Sequence, residues 1–248
     1  MNITINNFNT NRYNQTPCFK SSIRTVKNAA GEIRHRNTTN MFRQDLPWSE
    51  MIDLFEKKYA NIPKVNIVCY GCSDGSEPIS LAMLLIDRFG ENAKKFFPII
   101  AKDIDPYIIM EAKSNLLNIE TSDLYAMDSN LKNDFGIYVE KPEFNPWVEK
   151  FQVEIKPIVQ NKIRYSVADI RTDLQSIPKD NTIVFARNFW PYLKDEKEVF
   201  DLAKQLHSTL GKNCLVAVGN FDSFVGIRPA MICAGFESRN LPKNFYMT

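Results

Sequence analysis

Four groups of residues in this chain have types and spacing that could do chemistry, and each directly follows a run with strand character. They are G71-C-S-D-G-S-E-P with Gly71, Gly75, Asp74 and Glu77, then Asp103, then Asp169, then Arg187-Asn188. In an open parallel sheet, ligands bind outside the carboxyl ends of the strands, so these positions belong together. Gly71 and Gly75 let the backbone turn tightly and approach a ligand. One carboxylate can accept hydrogen bonds from both hydroxyls of a ribose, and an acid closing the second strand, Asp103, is placed to do so. The glycine loop is neither G-x-G-x-x-G nor a P-loop with its Lys-Ser/Thr. Asp74 and Glu77 at a helix start would repel phosphate and suit an ammonium group. S-adenosylmethionine (SAM) has a ribose, an amino group, a sulfonium and no phosphate, and these features favour it over a nicotinamide dinucleotide.

Other chemistries find little support. The five cysteines, at 18, 69, 72, 214 and 233, are an odd and scattered set that reads as reduced thiols. Cys69 and Cys72 end an apolar run rather than open a helix, and no second Cys/His pair completes a zinc site, so no metal is expected. With only His35 and His207 and no Ser or Cys motif beside them, a nucleophile–His enzyme is disfavoured. The 31 Lys and Arg against 29 Asp and Glu leave a net charge of +2, so no field of one sign points to nucleic acid or an anionic membrane surface. The longest apolar run, Leu81 to Ile86, is far short of the ~20 residues that cross a bilayer, and the first residues lack a signal-peptide core. A cytoplasmic protein with no membrane insertion is expected.

The elements that must position these residues alternate along the chain. Residues 1–36, rich in Asn, read as an extended polar arm, followed by one domain over 37–248. A first helix carries Met51, Leu54, Phe55 and Tyr59 on one face. Strand V65-N-I-V-C-Y leads to a helix from Ile79 to Phe89. Strand F97-P-I-I-A-K leads to a helix capped by Asp105-Pro106, with Ile108, Ile109, Ala112, Leu116 and Leu117 at helical spacing. Successive βα units imply a doubly wound, Rossmann-like α/β fold with a mostly parallel sheet. Residues 135–160 break the rhythm and read as a small antiparallel insert, with Phe144, Trp147 and Phe151 as its core. Strands I163-R-Y-S-V-A, T182-I-V-F-A and C214-L-V-A-V-G resume the sheet. A helix runs from Asp195 to Leu210 and stops at Gly211 in a left-handed turn, and the last fourteen residues form a closing hairpin.

At the level of motifs, the chain resembles the CheR-type family of SAM-dependent methyltransferases, which esterify glutamate side chains of chemotaxis receptors. N37-T-T-N-M-F-R resembles the family's N-x-T-x-F-F-R, G71-C-S-D-G-S-E-P-I-S-L-A its G-C-S-T-G-E-E-P-Y-S-I-A, A101-K-D-I-D its A-T-D-I-D, and R187-N-F-W-P-Y its R-N-V-x-I-Y. The order of the four is also the family's. The resemblance implies a class I SAM methyltransferase fold, with SAM as cofactor and S-adenosylhomocysteine as product. It implies that Asn37, Thr39 and Arg43 reach the cofactor, Arg43 pairing the methionine carboxylate, with Glu77 near the amino group and Asp103 on the ribose. Asp169-Ile170 stand where the family has Asn-Leu beside the adenine, and Arg187 and Tyr192 match residues that face the acceptor.

The implied reaction needs few parts. An acceptor carboxylate is already ionised at pH 7, so positioning by Arg187 and Tyr192 would replace a general base. The partner implied is a protein substrate of unidentified kind. The family's helical N-terminal domain has no counterpart in the 36 residues before Asn37, G219-N-F-D-S-F matches G-x-S-E only loosely, and Trp190-Pro191 would stand beside the acceptor site. Two other readings follow: transfer to a different small-molecule or protein acceptor, and a SAM or S-adenosylhomocysteine binding module without turnover, in which Trp190 and Pro191 close the site.

Overall fold

A computed structural model describes residues 25–27 and 33–36 in their backbone, and residues 39–142 and 150–248 in full. Within the arm, β1 (Thr25–Lys27) and β2 (Ile33–Arg36) pair antiparallel. The rest of the arm, Asn37, Phe144 and Trp147 lie outside the described residues.

The domain alternates as its periodicity predicts. It contains α1 (Trp48–Lys58), β3 (Asn66–Tyr70), α2 (Ser76–Phe89), β4 (Ile99–Asp103), α3 (Pro106–Ala112), β5 (Leu116–Glu120), α4 (Thr121–Asn130), β6 (Lys150–Glu154), α5 (Pro157–Gln160), β7 (Ile163–Val167), α6 (Ile170–Asp173), β8 (Thr182–Ala186), α7 (Glu196–Thr209), β9 (Leu215–Ala217), α8 (Ile227–Ala234) and β10 (Phe245–Met247). Six strands form one sheet in the order β10-β9-β8-β3-β4-β7, parallel except for β10 at the edge. The chain builds outward from β3 to β4 and β7 on one side and from β8 to β9 on the other. The gap between the carboxyl ends of β3 and β8 is therefore the topological switch point, where such sheets form a crevice.

Both faces of the sheet are covered, which is why its strands read as continuous apolar runs. Alternate residues of β3 go to opposite cores. Ile67 and Cys69 join α1, α2 and the β5–β6 pair, whereas Val68 and Tyr70 join α7, α8 and the α6 turn. Cys69 and Cys72 are buried free thiols, and burial pushes both pKa values up, as inert strand-end cysteines require. No helix among the described residues is long and apolar enough to cross a membrane.

Three local expectations are corrected. The helix after Asp105 stops at Ala112, because Asn115 takes a left-handed φ of 66° and Leu116–Glu120 goes on as β5, paired antiparallel with β6. The antiparallel insert therefore draws one strand from before residue 135. Helix α2 begins at Ser76 rather than Ile79, with Gly75 at φ 94° as its N-cap and Asp74 Oδ1 accepting the Ser76 N–H at 2.9 Å in the turn that leads into it. Gly211 has no left-handed φ. It is required by crowding instead, as a Cβ there would lie 2.2 Å from Asp180 Oδ1. The caps at Asp105 and Asp195 stand, accepting the N–H of Tyr107 and of Glu198, each at 2.9 Å.

Candidate functional site

The residues at the carboxyl edge of the sheet form two connected groups. In the first, the loop after β3 turns through left-handed φ values at Gly71 (67°), Ser73 (52°) and Gly75 (94°). Gly75 also passes close over β7, where a Cβ would meet Tyr165 Oη at 2.7 Å, so glycine is required twice over. Asp103, 7% exposed at the end of β4, accepts the Ser73 N–H at 2.9 Å on one oxygen and the Asp105 N–H at 3.0 Å on the other. A carboxylate has about four acceptor positions, so these two bonds fix its orientation and remain compatible with ribose hydroxyls. Gly71, Gly75 and Asp103 are thus brought together as the sequence implies.

The second group is a line of four charges. Arg187, at the end of β8, has a side chain only 1% exposed; Nη1 donates to Glu77 Oε2 in the first turn of α2, and Nη2 donates to Asp45 Oδ1. Asp45 in turn lies 3.5 Å from Nε of Arg43, whose side chain is 34% exposed. Burial alone would depress the Arg187 pKa, but Glu77, Asp45 and Asp222 raise it above its usual value. Burial raises Glu77, with Arg187 opposing. It would raise Asp45 too, yet Arg187 and then Arg43 bring that carboxyl below its ordinary range. Arg187 is therefore the centre of a buried ion-pair line.

Arg43 is placed by its own segment. The Met41 N–H donates to Asp123 Oδ1 at 2.8 Å, and the Phe42 N–H donates to Ser80 Oγ at 2.9 Å. Phe42, at φ 46°, turns into the core, and Trp48 Nε1 donates to the Arg43 carbonyl at 3.0 Å. Thr39 is half-buried at the start of this segment.

Four positions lie outside these two groups. Asp169 caps α6 through the Arg171 N–H at 2.9 Å and pairs with the Arg171 side chain, so its carboxylate serves the turn. Ile170 is buried in the second core. Trp190 is fully buried there as well, with Nε1 donating to the Ala186 carbonyl at 2.7 Å. Tyr192 is half-buried on the rim, its ring 6.4 Å from that of Phe221.

Two acids bound to these loops, Asp45 and Asp222, were not singled out in the sequence. Asp45 alternates with Gln44 and Leu46 two residues after Arg43, a weak signal. Asp222, fully buried in the loosely matching G219-N-F-D-S-F, accepts N–H bonds from Asn188 at 2.8 Å and Gly219 at 2.6 Å; burial pushes its pKa up to about 7. Burial likewise pushes Asp74 up to about 6. The buried Ser73 Oγ, Arg187 Nε and Asn188 Oδ1 have no internal hydrogen-bond partner, and all three lie in the loops after β3 and β8. Unpaired polar atoms at a crevice fit a polar ligand. The donor set fits SAM: an acid at Asp103 for hydroxyls, an acid at Glu77 for an ammonium, and a cation at Arg43 for a carboxylate.

The family described as "CheR methyltransferase, SAM binding domain" matches residues 37–237. A chemotaxis protein methyltransferase of Borreliella burgdorferi is 26% identical over 165 residues, which are 66% of this chain and 54% of that protein. The match thus spans about half the length of that curated relative. Among solved structures, precorrin-6y C5,15-methyltransferase from Geobacter metallireducens aligns with a TM-score of 0.41 at 10% identity, over 79% of this chain and 77% of its own. Magnesium protoporphyrin IX methyltransferase from Synechocystis, with bound S-adenosylhomocysteine, aligns with a TM-score of 0.39 at 12% identity, over 84% and 86%.

Proposed function

This chain belongs to the CheR methyltransferase family through its SAM-binding domain, and from that premise we propose that it transfers a methyl group from SAM to a carboxylate, a protein glutamate side chain fitting best. The observation that carries the reading is the pairing, at one switch point, of the Asp103 glycine-loop site with a charge line ending in Glu77 and Arg43. SAM supplies a methyl group on a sulfonium, which an ionised carboxylate can accept without a general base. The chain's own residues then have only to bind and orient. Asp103 takes the ribose hydroxyls, Glu77 the amino group and Arg43 the methionine carboxylate, while Gly71 and Gly75 admit the backbone to close range. Thr39 borders the same segment, and Asn37 precedes it in the motif.

On the acceptor side the reading changes from the one the motif implies. With Arg187 held by two carboxylates, Tyr192 on the rim is the remaining matched residue that can touch the acceptor, and Arg187 acts from behind through its partners. Asp169 and Ile170 border the adenine end through the turn they build rather than through a free carboxylate. The binding-module reading has Trp190 and Pro191 close the site; Trp190 is in the core, and Pro191 is half-buried in the turn beside it.

Incubation with methyl-labelled SAM and candidate proteins is the test. Label that is lost in mild base indicates an ester and supports a carboxylate acceptor; base-stable label contradicts it. S-adenosylhomocysteine binding with no transfer to any candidate favours the module without turnover.

A further inference from the structure

The four charges at the site alternate in sign along one line, Glu77, Arg187, Asp45, Arg43, and the two inner side chains are the less exposed. The inner side chains are the more buried, Arg187 at 1% and Asp45 at 11%, whereas Glu77 is 15% and Arg43 is 34% exposed. Each end of the line is held on its inner side by a partner of opposite sign, Glu77 by the guanidinium of Arg187 and Arg43 by the carboxylate of Asp45.

The inner pair is itself anchored from several elements. Asp45 Oδ2 accepts from Asn188 Nδ2 at 3.1 Å and from the Asn220 N–H at 3.4 Å, and Asn244 Nδ2 donates to the Asp45 carbonyl at 3.5 Å. Asn188 and Asn220 sit in the loops after β8 and β9, so Asp45 ties the Arg43 segment to the sheet's carboxyl edge. Arg187 extends from β8 to the first turn of α2, where Glu77 also gains from the helix dipole.

We propose that Asp45 and Arg187 are positioning residues, the inner pair of a charge line that holds Glu77 and Arg43 as a clamp for the ammonium and carboxylate of the cofactor's amino-acid end. The inference rests on the SAM reading above. It assigns Asp45 a role in recognition that no motif gives it, and it turns Arg187 from an acceptor contact into a support for cofactor specificity. A line ordered in advance also spares the site reorganisation when a zwitterion arrives.

Calorimetric titration with two probes separates this from a merely structural network. S-adenosylhomocysteine carries the amino-acid end; 5′-methylthioadenosine has the same adenosine and thioether without it. Asp45→Asn should weaken S-adenosylhomocysteine by about tenfold, the scale of one charge-assisted contact, and leave 5′-methylthioadenosine within about twofold. Should that variant fold poorly, Asp45→Asn/Arg187→Gln removes the inner pair with no net change in charge and should show the same split. Equal loss for both probes, or no loss for either, overturns the clamp. Failure of the unmutated protein to bind either probe overturns the SAM reading itself, a distinct result.

Discussion

Arg187→Met removes the centre of the charge line while keeping much of the side-chain volume. Its guanidinium is 1% exposed and is the partner of both Glu77 and Asp45. Removing one member of a buried ion pair typically costs about 3–5 kcal/mol, because the remaining charge stays buried without compensation. For a domain of this size each kcal/mol moves the midpoint by roughly 2–4 °C, so thermal unfolding should start from a midpoint roughly 6–20 °C lower. The loss has a pH signature. Burial already raises Glu77 and Arg187 opposes that rise, so without Arg187 the folded-state pKa moves further up. A folded pKa raised above the unfolded one gives stability that is present below the ordinary carboxylate range and lost as pH rises through the folded value. The penalty should therefore be larger at pH 8 than at pH 5. Neutralising the stranded acids in Arg187→Met/Glu77→Gln/Asp45→Asn should recover most of it. Scanning calorimetry at both pH values reads all of this. A single variant that melts with the unmutated protein at pH 8, or a triple variant no better than the single, would refute the reasoning.

Gly75→Ala combines a φ of 94° with a Cβ 2.7 Å from Tyr165 Oη, and should cost about 1–3 kcal/mol in urea denaturation. Adding Tyr165→Phe should return the contact part and leave the backbone part; full recovery would show that the left-handed conformation carries no strain. Asp222, with its pKa pushed up to about 7 by burial against bonds from Asn188 and Gly219 and the nearby Arg187, should make the fold less stable as pH rises from 5 to 8. Asparagine cannot titrate, so the melting temperature of Asp222→Asn should vary less with pH across that range. Parallel slopes for the two proteins would mean that Asp222 does not titrate there.

Much of the fold was legible because its signals are local. The buried strands announce themselves as apolar runs, and Asp105 and Asp195 sit one residue before the helices they cap. Leu116 and Leu117 misled because their spacing from Ile108, Ile109 and Ala112 is helical. What moves them into a strand is the left-handed Asn115 and a partner, Lys150–Glu154, more than thirty residues on. Gly211 misled for a similar reason, as its crowding against Asp180 is a tertiary contact. The same division runs through the site. Gly71, Gly75 and Asp103 were readable from their place after strands, whereas the partners of Arg187 stand 110 and 142 residues away in the sequence. Sequence spacing shows that Arg187 follows a strand, but not that two acids close around it. Trp190 likewise looks like a plug beside its motif until the turn that follows β8 folds it into the core.

Calorimetric titration of the intact chain with S-adenosylhomocysteine, alongside Asp103→Asn, addresses the claim on which everything else depends. Saturable one-to-one binding, weakened by at least about tenfold when Asp103 can no longer accept from both hydroxyls, is the predicted result. Absence of binding at millimolar ligand, or equal affinity in the two proteins, would contradict a SAM site at the carboxyl ends of β3 and β4.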